Sequence, residues 1–324
     1  MPNSSHFVSQ SPSSFAPRTS SLHGPLPIIQ SCPHAGLGVP PEVQQNLAIS
    51  EVDLSNDADL WADIHYDFNH PDLHDLTPPG YEPGPLARVT MPIARALIDV
   101  NRHPEDLANP DGPVKTRTSY GRPIYKESIS YRQQTDLLER YWWSYHLRLN
   151  TAHQTYAGRT KLFLDCHSMA QRGPAAYAYP GAIRPLICLS NMGDANGEPL
   201  EPGGRTSCSG ELIRAAARIG AELFDDLCLL EPAPGVIAPR VAINWPFRGG
   251  YIIREYSRPG YLAAPPFSLN GGSYPPPGML IEVNRGLFIG DQTADTPIQP
   301  PNMERIAEVR RRLYLWAVRV VELL

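Results

Sequence analysis

Residues 162–173 read LFLDCHSMAQRG. Leu162, Phe163 and Leu164 form the short apolar run expected of a strand buried on both faces. The run then stops on Asp165, Cys166, His167 and Ser168, a cluster of titratable and polar groups. In open α/β sheets ligands bind beyond the carboxyl ends of the strands, so a core strand with this ending predicts a sheet edge that carries chemistry.

Working outward, strands alternate with helices. PLPIIQSCPHAG contains a strand at Pro27–Gln30, broken by Pro33 and Gly36. PPEVQQNLAI has the form of a helix with proline in its first turn. SNDADLWADIHYDFN predicts a helix capped at Ser55 or Asn56. RVTMPIARALIDVNR predicts a strand over Ala96–Val100 that ends in Asn101 and Arg102. From Ser130 to His153, the spacing of Leu137, Leu138, Tyr141, Trp142, Tyr145 and Leu149 gives one long helix. The strand of the opening stretch follows, over Lys161–Asp165. CSGELIRAAARIGAELFDDL predicts a helix, VAINWPF and GYIIREY extended segments around Gly249 and Gly250, GMLIEVNRGLFI a buried strand, and Met303–Leu324 a terminal helix. The pattern is that of an α/β fold in three layers, α/β/α.

The chain has 324 residues and a net charge of −5, with no basic block, which argues against nucleic acid as a partner. No apolar run approaches the ~20 residues that span a bilayer. Five cysteines, an odd number without C-x-x-C spacing, argue against a disulfide framework and fit a reducing, cytoplasmic setting. Residues 1–25 are rich in Ser and Pro and read as a disordered arm, with 26–324 as a single domain. Prolines cluster at 78–85, 259–266 and 275–277, which read as long surface loops. The sequence leaves the oligomeric state open.

Three constellations carry chemistry. His34 and His167 each follow a predicted strand, with Asp57 and Asp59 between them in sequence. Two imidazoles and one carboxylate with a fourth position open form a typical hydrolytic zinc site. Asp165 either orients a neighbouring histidine or caps a turn. Glu282 sits inside an otherwise apolar strand, where a carboxylate needs a function or a partner such as Arg285. Arg102, Arg248 and Arg254 lie beside these motifs and suit an acidic substrate. A competing reading is a thiolate pair of Cys166 and His167, although neighbours on a strand point to opposite faces.

Together these segments resemble the N-formylglutamate amidohydrolase family, relatives of the zinc carboxypeptidases. CPHAGLGVP is similar to the family's opening P-H-[SA]-G segment, DADLW to its D-x-D-W segment, and ARALIDVNR to S-R-x-x-x-D-L-N-R. WWSYHLRL is similar to the P-Y-H helix, LFLDCHSM to the D-x-H-S-M strand, PFRGGYIIREYSRPG to the glycine-rich segment, and MLIEVNRGLFIGD to the last site strand. The resemblance runs in order from Ile28 to Asp291. It implies a mixed, mostly parallel sheet of the zinc-carboxypeptidase-like (phosphorylase/hydrolase-like) kind. It also implies one Zn2+, or another divalent ion, on His34, Asp59 and His167, with Asp57 as the alternative acid. Glu282 falls on the catalytic carboxylate, and Asn101 and Arg102 on the position that binds a substrate carboxylate. The implied reaction cleaves a small anionic N-acyl amino acid such as N-formylglutamate to formate and glutamate. The alternatives are another N-acyl amino acid or peptide, and an inactive binding protein of the same fold. Leu60 stands where the family usually has Trp, and PPFSLNGGSYPPPG adds length before the Glu282 strand. Both departures bear on substrate preference more than on hydrolytic chemistry.

Overall fold

Six strands form one sheet in the order β2-β1-β3-β6-β4-β5. They are β1 (Pro25–Cys32), β2 (Glu82–Thr90), β3 (Leu162–Met169), β4 (Ile187–Ser190), β5 (Val241–Ile243) and β6 (Gly278–Asn284). β2, β1, β3 and β6 run parallel; β4 is antiparallel to β6, and β5 is parallel to β4. The computed structural model describes residues 24–174, 177–231, 237–257, 275–291 and 299–324. The arm expected over 1–25, apart from its last two residues, lies outside these, as do the 259–266 loop and most of PPFSLNGGSYPPPG.

Alternation along the strands divides the core into two clusters. Ile28, Leu162, Leu164, Met279 and Ile281 pack on one face with Ile213 of α5 (Gly210–Leu223) and with Ile306 and Leu313 of α7 (Met303–Val321). Ile29, Phe163 and Leu280 pack on the other face with Tyr145 and Leu149 of α4 (Trp143–Thr155) and Ile252 of α6 (Tyr251–Tyr256). Every residue of β3 and β6 is buried, which explains why both read as continuous apolar runs rather than alternating ones. β3 runs four residues past the expected Asp165, so His167 belongs to the strand itself.

Several expected elements differ. Ala96–Val100 is no strand: the segment turns after Pro92, with Leu97 and Ile98 N–H both donating to Ala94 O. Its apolar residues are buried, and that burial rather than sheet pairing produced the strand-like pattern. PPEVQQNLAI gives only a 3-10 turn at Gln44–Asn46, because Ala48 N–H bonds to Ile124 O instead of continuing a helix. The 78–85 stretch is not all loop, since β2 begins at Glu82. GYIIREY is α6, not an extended segment: Asn101 Oδ1 accepts the Ile252 N–H at 2.8 Å, a cap supplied from 151 residues away. SNDADLWADIHYDFN forms two short helices, α1 (Glu51–Asp57) and α2 (Ala62–His65). The cap of α1 is Ser50, in a capping box with Asp53.

The long helix of 130–153 is α3 (Tyr131–Leu137) and α4 joined by a π turn at Leu138–Trp142. Its inner face anchors the segment that leads to Asn101. Trp142 Nε1 donates to Arg102 O at 3.1 Å, and His146 Nε2 lies 2.8 Å from Val100 O. No helix among the described residues is long and apolar enough to cross a membrane.

One buried residue sets a pH dependence. His153 packs between Phe163 and Tyr256, 4% exposed, and its Nε2 has no hydrogen-bond partner among the described residues. Burial drives its pKa down to about 3. Below about 6.5 the unfolded chain binds a proton there that the folded chain refuses, so stability falls as pH drops through that value. His153→Phe removes this contribution. Its stability relative to the parent, from urea midpoints, should improve by about 2 kcal/mol between pH 8 and pH 5. An unchanged difference across that range would refute the assignment.

Candidate active site

The carboxyl ends of β1, β3 and β6, three neighbouring strands, carry the expected residues to one place. His34 follows β1 by two residues. His167 lies in β3 and is the register partner of Glu282 in β6, so the two side chains stand next to each other on one face of the sheet. Asp59 comes from the break between α1 and α2, where its N–H donates to His34 O at 2.9 Å. The left-handed backbone of Trp61 (φ 62°) closes that break. A cavity of about 210 Å³ is lined by His34, Asp59, Asn101, Arg102, His167 and Glu282, among others. It is smaller than the ~300–1,000 Å³ typical for drug-sized ligands and suits a small molecule.

His34, Asp59 and His167, all buried, each offer a ligand atom within 4.8 Å of the others, a group that could hold a metal ion. Asp59 Oδ2 lies 2.8 Å from His167 Nδ1 and 3.4 Å from His34 Nδ1. Both rings turn Nε2 away, to a second carboxylate: His34 Nε2 is 2.8 Å from Asp99 Oδ1, and His167 Nε2 is 3.1 Å from Asp165 Oδ2. A carboxylate at Nε2 selects the tautomer protonated there and frees the Nδ1 lone pair for a metal. Among the described residues His34 Nδ1 and Glu282 Oε2 are buried without a hydrogen-bond partner, which suits a cation at the first and its water at the second. The donor set therefore fits a divalent ion of the zinc type.

The charges agree. Burial opposes ionisation of Asp59, but both imidazoles overcome it and hold its carboxyl well below the usual range. Burial also opposes the His167 imidazolium, yet Asp165 and Asp59 raise its pKa well above the ordinary value. Glu282 is pushed up to about 7 by burial, with His167 partly opposing. That is the range in which a carboxylate works as a general base at neutral pH.

Of the two candidate acids, Asp59 is in the cluster. Asp57 is occupied elsewhere, by the fully buried Lys115 Nζ at 3.2 Å and the Ser119 N–H. Asp165 also accepts the Ser31 hydroxyl at 2.9 Å, which fixes the carboxylate behind His167. No ion pair joins Glu282 to Arg285 among the described residues; Arg285 Nη1 donates to Ala58 O instead. Cys166 points into the opposite core cluster, and burial raises its thiol well above the ordinary pKa, so a Cys166–His167 pair does not form.

Asn101 lines the cavity, but its side chain is engaged in capping α6 and lies 3.4 Å from His167 Nε2. Gly250 is needed there, since a Cβ would fall 2.4 Å from Asn101 Oδ1. Arg102 also lines the cavity and binds Asp111 Oδ2 at 2.8 Å. Arg248 and Arg254, expected at the site, are not brought into this cavity. Both are exposed and absent from the cavity wall. The helical turn of YIIREY carries Arg254 to a separate crevice beside Thr206 and Ser207. Their places on the wall are taken by Arg95, Arg184 and Arg285. Asp99 was discoverable by the argument used for Glu282, an acid inside an apolar run.

Residues 26–263 match a family described as N-formylglutamate amidohydrolase. An N-formylglutamate deformylase of Pseudomonas putida is 25% identical over 244 residues, 73% of this chain and 76% of the relative. A crystal structure of N-formylglutamate amidohydrolase from Ralstonia eutropha JMP134 superposes with a TM-score of 0.60 at 20% identity, covering 93% of this chain and 94% of that one. The family match ends before β6. With His34, Asp59 and His167 inside the matched span, the chain belongs to the N-formylglutamate amidohydrolase family.

Proposed function

We propose that the protein is a divalent-metal-dependent amidohydrolase that cleaves the N-formyl group from an acidic amino acid, converting N-formylglutamate and water to formate and glutamate. The observation that carries this reading is the convergence of His34, Asp59, His167 and Glu282 on one cavity in a chain of this family. We read residues 26–324 as one domain and the helix-covered sheet as the three-layer arrangement of the zinc carboxypeptidases. Zinc is the favoured ion, since imidazole and carboxylate ligands suit it.

His34, Asp59 and His167 would hold the ion, which when bound acidifies water and polarises the amide carbonyl. Glu282, adjacent to His167 and with Oε2 free of hydrogen bonds among the described residues, accepts the water proton as the oxygen attacks the formyl carbon. It then returns that proton to the nitrogen as the C–N bond breaks, because an amine leaves poorly as an anion. Arg95, held by Asp99 at 3.1 Å, and Arg102 place positive charge on the wall for the oxyanion and for a substrate carboxylate. Asp99 and Asp165 keep both imidazoles in register.

The direct test is formate release from N-formylglutamate by chelated and zinc-reconstituted protein. Activity that ignores both treatments would overturn the reading. Asp99→Asn and Asp165→Asn should each weaken zinc binding by about 10–100-fold, measured by competition with a chelating dye. Unaltered affinity in both would remove these carboxylates from the site.

A further inference from the structure

Four arginines line the cavity among the described residues, and they fall into two pairs. Arg95 and Arg102 have carboxylate partners, Asp99 and Asp111. Among the described residues Arg184 and Arg285 have none within ion-pair distance, although they are only 4% and 5% exposed. Each donates one bond to a neutral main-chain oxygen, Arg184 Nη1 to Ala170 O at 3.5 Å and Arg285 Nη1 to Ala58 O at 2.7 Å. In each the Nε is buried with no hydrogen-bond partner among the described residues.

An arginine stays charged in a protein, and a buried charge without a counter-ion is strongly unfavourable. Burial lowers the pKa of both guanidinium groups below the ordinary value, although Glu282 acts on both, and Asp59 on Arg285, in the opposite direction. Two such groups in one wall specify an anion supplied from outside. The fold brings them together deliberately: Asn284, the residue before Arg285, donates from Nδ2 to Arg184 O at 3.1 Å. The ring of Phe247 lies 4.9 Å beneath the Arg184 guanidinium and fixes its plane. Both arginines thus approach from the β6–β4 side of the site, whereas Arg102 belongs to the segment beside Asp99 and His34.

We propose that Arg184 and Arg285 are the specificity-determining pair of this enzyme, binding the side-chain carboxylate of the N-acyl amino acid and selecting dicarboxylic over monocarboxylic substrates. This rests on the reaction proposed above and names what that reaction selects. A carboxylate accepts paired N–H bonds from guanidinium forks, and a neutral side chain would leave both charges buried and unmatched.

The experiment compares zinc-loaded parent, Arg184→Met and Arg285→Met on N-formylglutamate and N-formylglutamine. The ratio of kcat/KM for the acid to that for the amide should fall about 10–100-fold in each variant, the loss of a charged hydrogen bond. Arg184→Lys, which keeps the charge but not the fork, should fall between. In parallel, glutarate should raise the thermal midpoint of the parent more than butyrate does, and this difference should vanish in both methionine variants. If the parent releases formate from N-formylglutamate while the variants keep its substrate ratio and the glutarate effect, the arginine pair is not the selector and the reaction stands. If the parent hydrolyses no N-formyl amino acid yet glutarate binding depends on both arginines, the reaction falls and the anion site stands. Equal loss on both substrates with unchanged glutarate binding would also overturn the proposal.

Discussion

Glu282→Gln should bind a full equivalent of zinc and lose kcat by about 10²–10⁴-fold, the contribution typical of a positioned general base. The amide keeps the size of the carboxylate, so the β3–β6 register and the cluster of His34, Asp59 and His167 are undisturbed. What disappears is the acceptor for the water proton and its donor to the leaving nitrogen. KM should change little, because the interaction is made mainly as the proton moves. Two pH measurements accompany the rate. The acid limb of kcat/KM in the parent reports the protonation of Glu282 and should be absent from the variant. A bound cation favours the carboxylate, so this limb lies below the value of about 7 that burial produces in the ion-free protein. In ion-free protein, the folded chain holds a proton on Glu282 that the unfolded chain has already released between about pH 4.5 and 7. Stability therefore declines as pH rises across that window. Glu282→Gln should flatten this decline. A variant within a few fold of parental kcat would remove Glu282 from the reaction.

His34→Ala and His167→Ala should each lower zinc affinity by more than about 100-fold, beyond the effect expected for their supporting carboxylates. They should abolish chelator-sensitive turnover. Metal content after dialysis, measured by atomic absorption, should fall from one ion per chain to near none. The two variants should differ in stability. His167 lies inside a strand buried along its whole length, between Asp59 and Asp165, and removing it leaves two buried carboxylates facing each other across a void. His34 also lies between two buried carboxylates, Asp59 and Asp99, but Asp99 keeps Arg95 as a partner and the irregular chain beyond β1 relaxes more readily. His167→Ala should therefore unfold at the lower urea concentration. Retention of one tightly held ion in either variant would exclude the proposed ligand set.

How far the sequence could be read depended on whether the cause of each element was local. β3, β6, α5 and α7 are specified by their own composition, and the polar endings of β3 and β6 pointed to the site before any neighbour was known. The choice of Asp59 over Asp57 was not local: it depends on Lys115, fully buried and more than fifty positions away, claiming Asp57. The same holds for α6, whose cap is a distant asparagine, and for the 91–102 segment, buried by α4 without joining the sheet. Arg184 gave no signal and Arg285 read only as a partner for Glu282, because an arginine becomes informative only when its burial and its surroundings are seen together.

The position of β6 has a consequence for how the chain reaches this structure. The last strand among the described residues inserts between β3 and β4, so a chain that ends between β5 and β6 has its sheet in two parts, β2-β1-β3 and β4-β5. Until Gly278–Asn284 emerges from the ribosome, β3 and β4 both present bare backbone edges flanked by Leu162, Leu164 and Leu189. Unsatisfied edges of this kind recruit other chains. Truncation ahead of residue 278 should yield aggregates rather than a smaller folded protein, and nascent chains of this length are natural clients for a chaperone that shields strand edges.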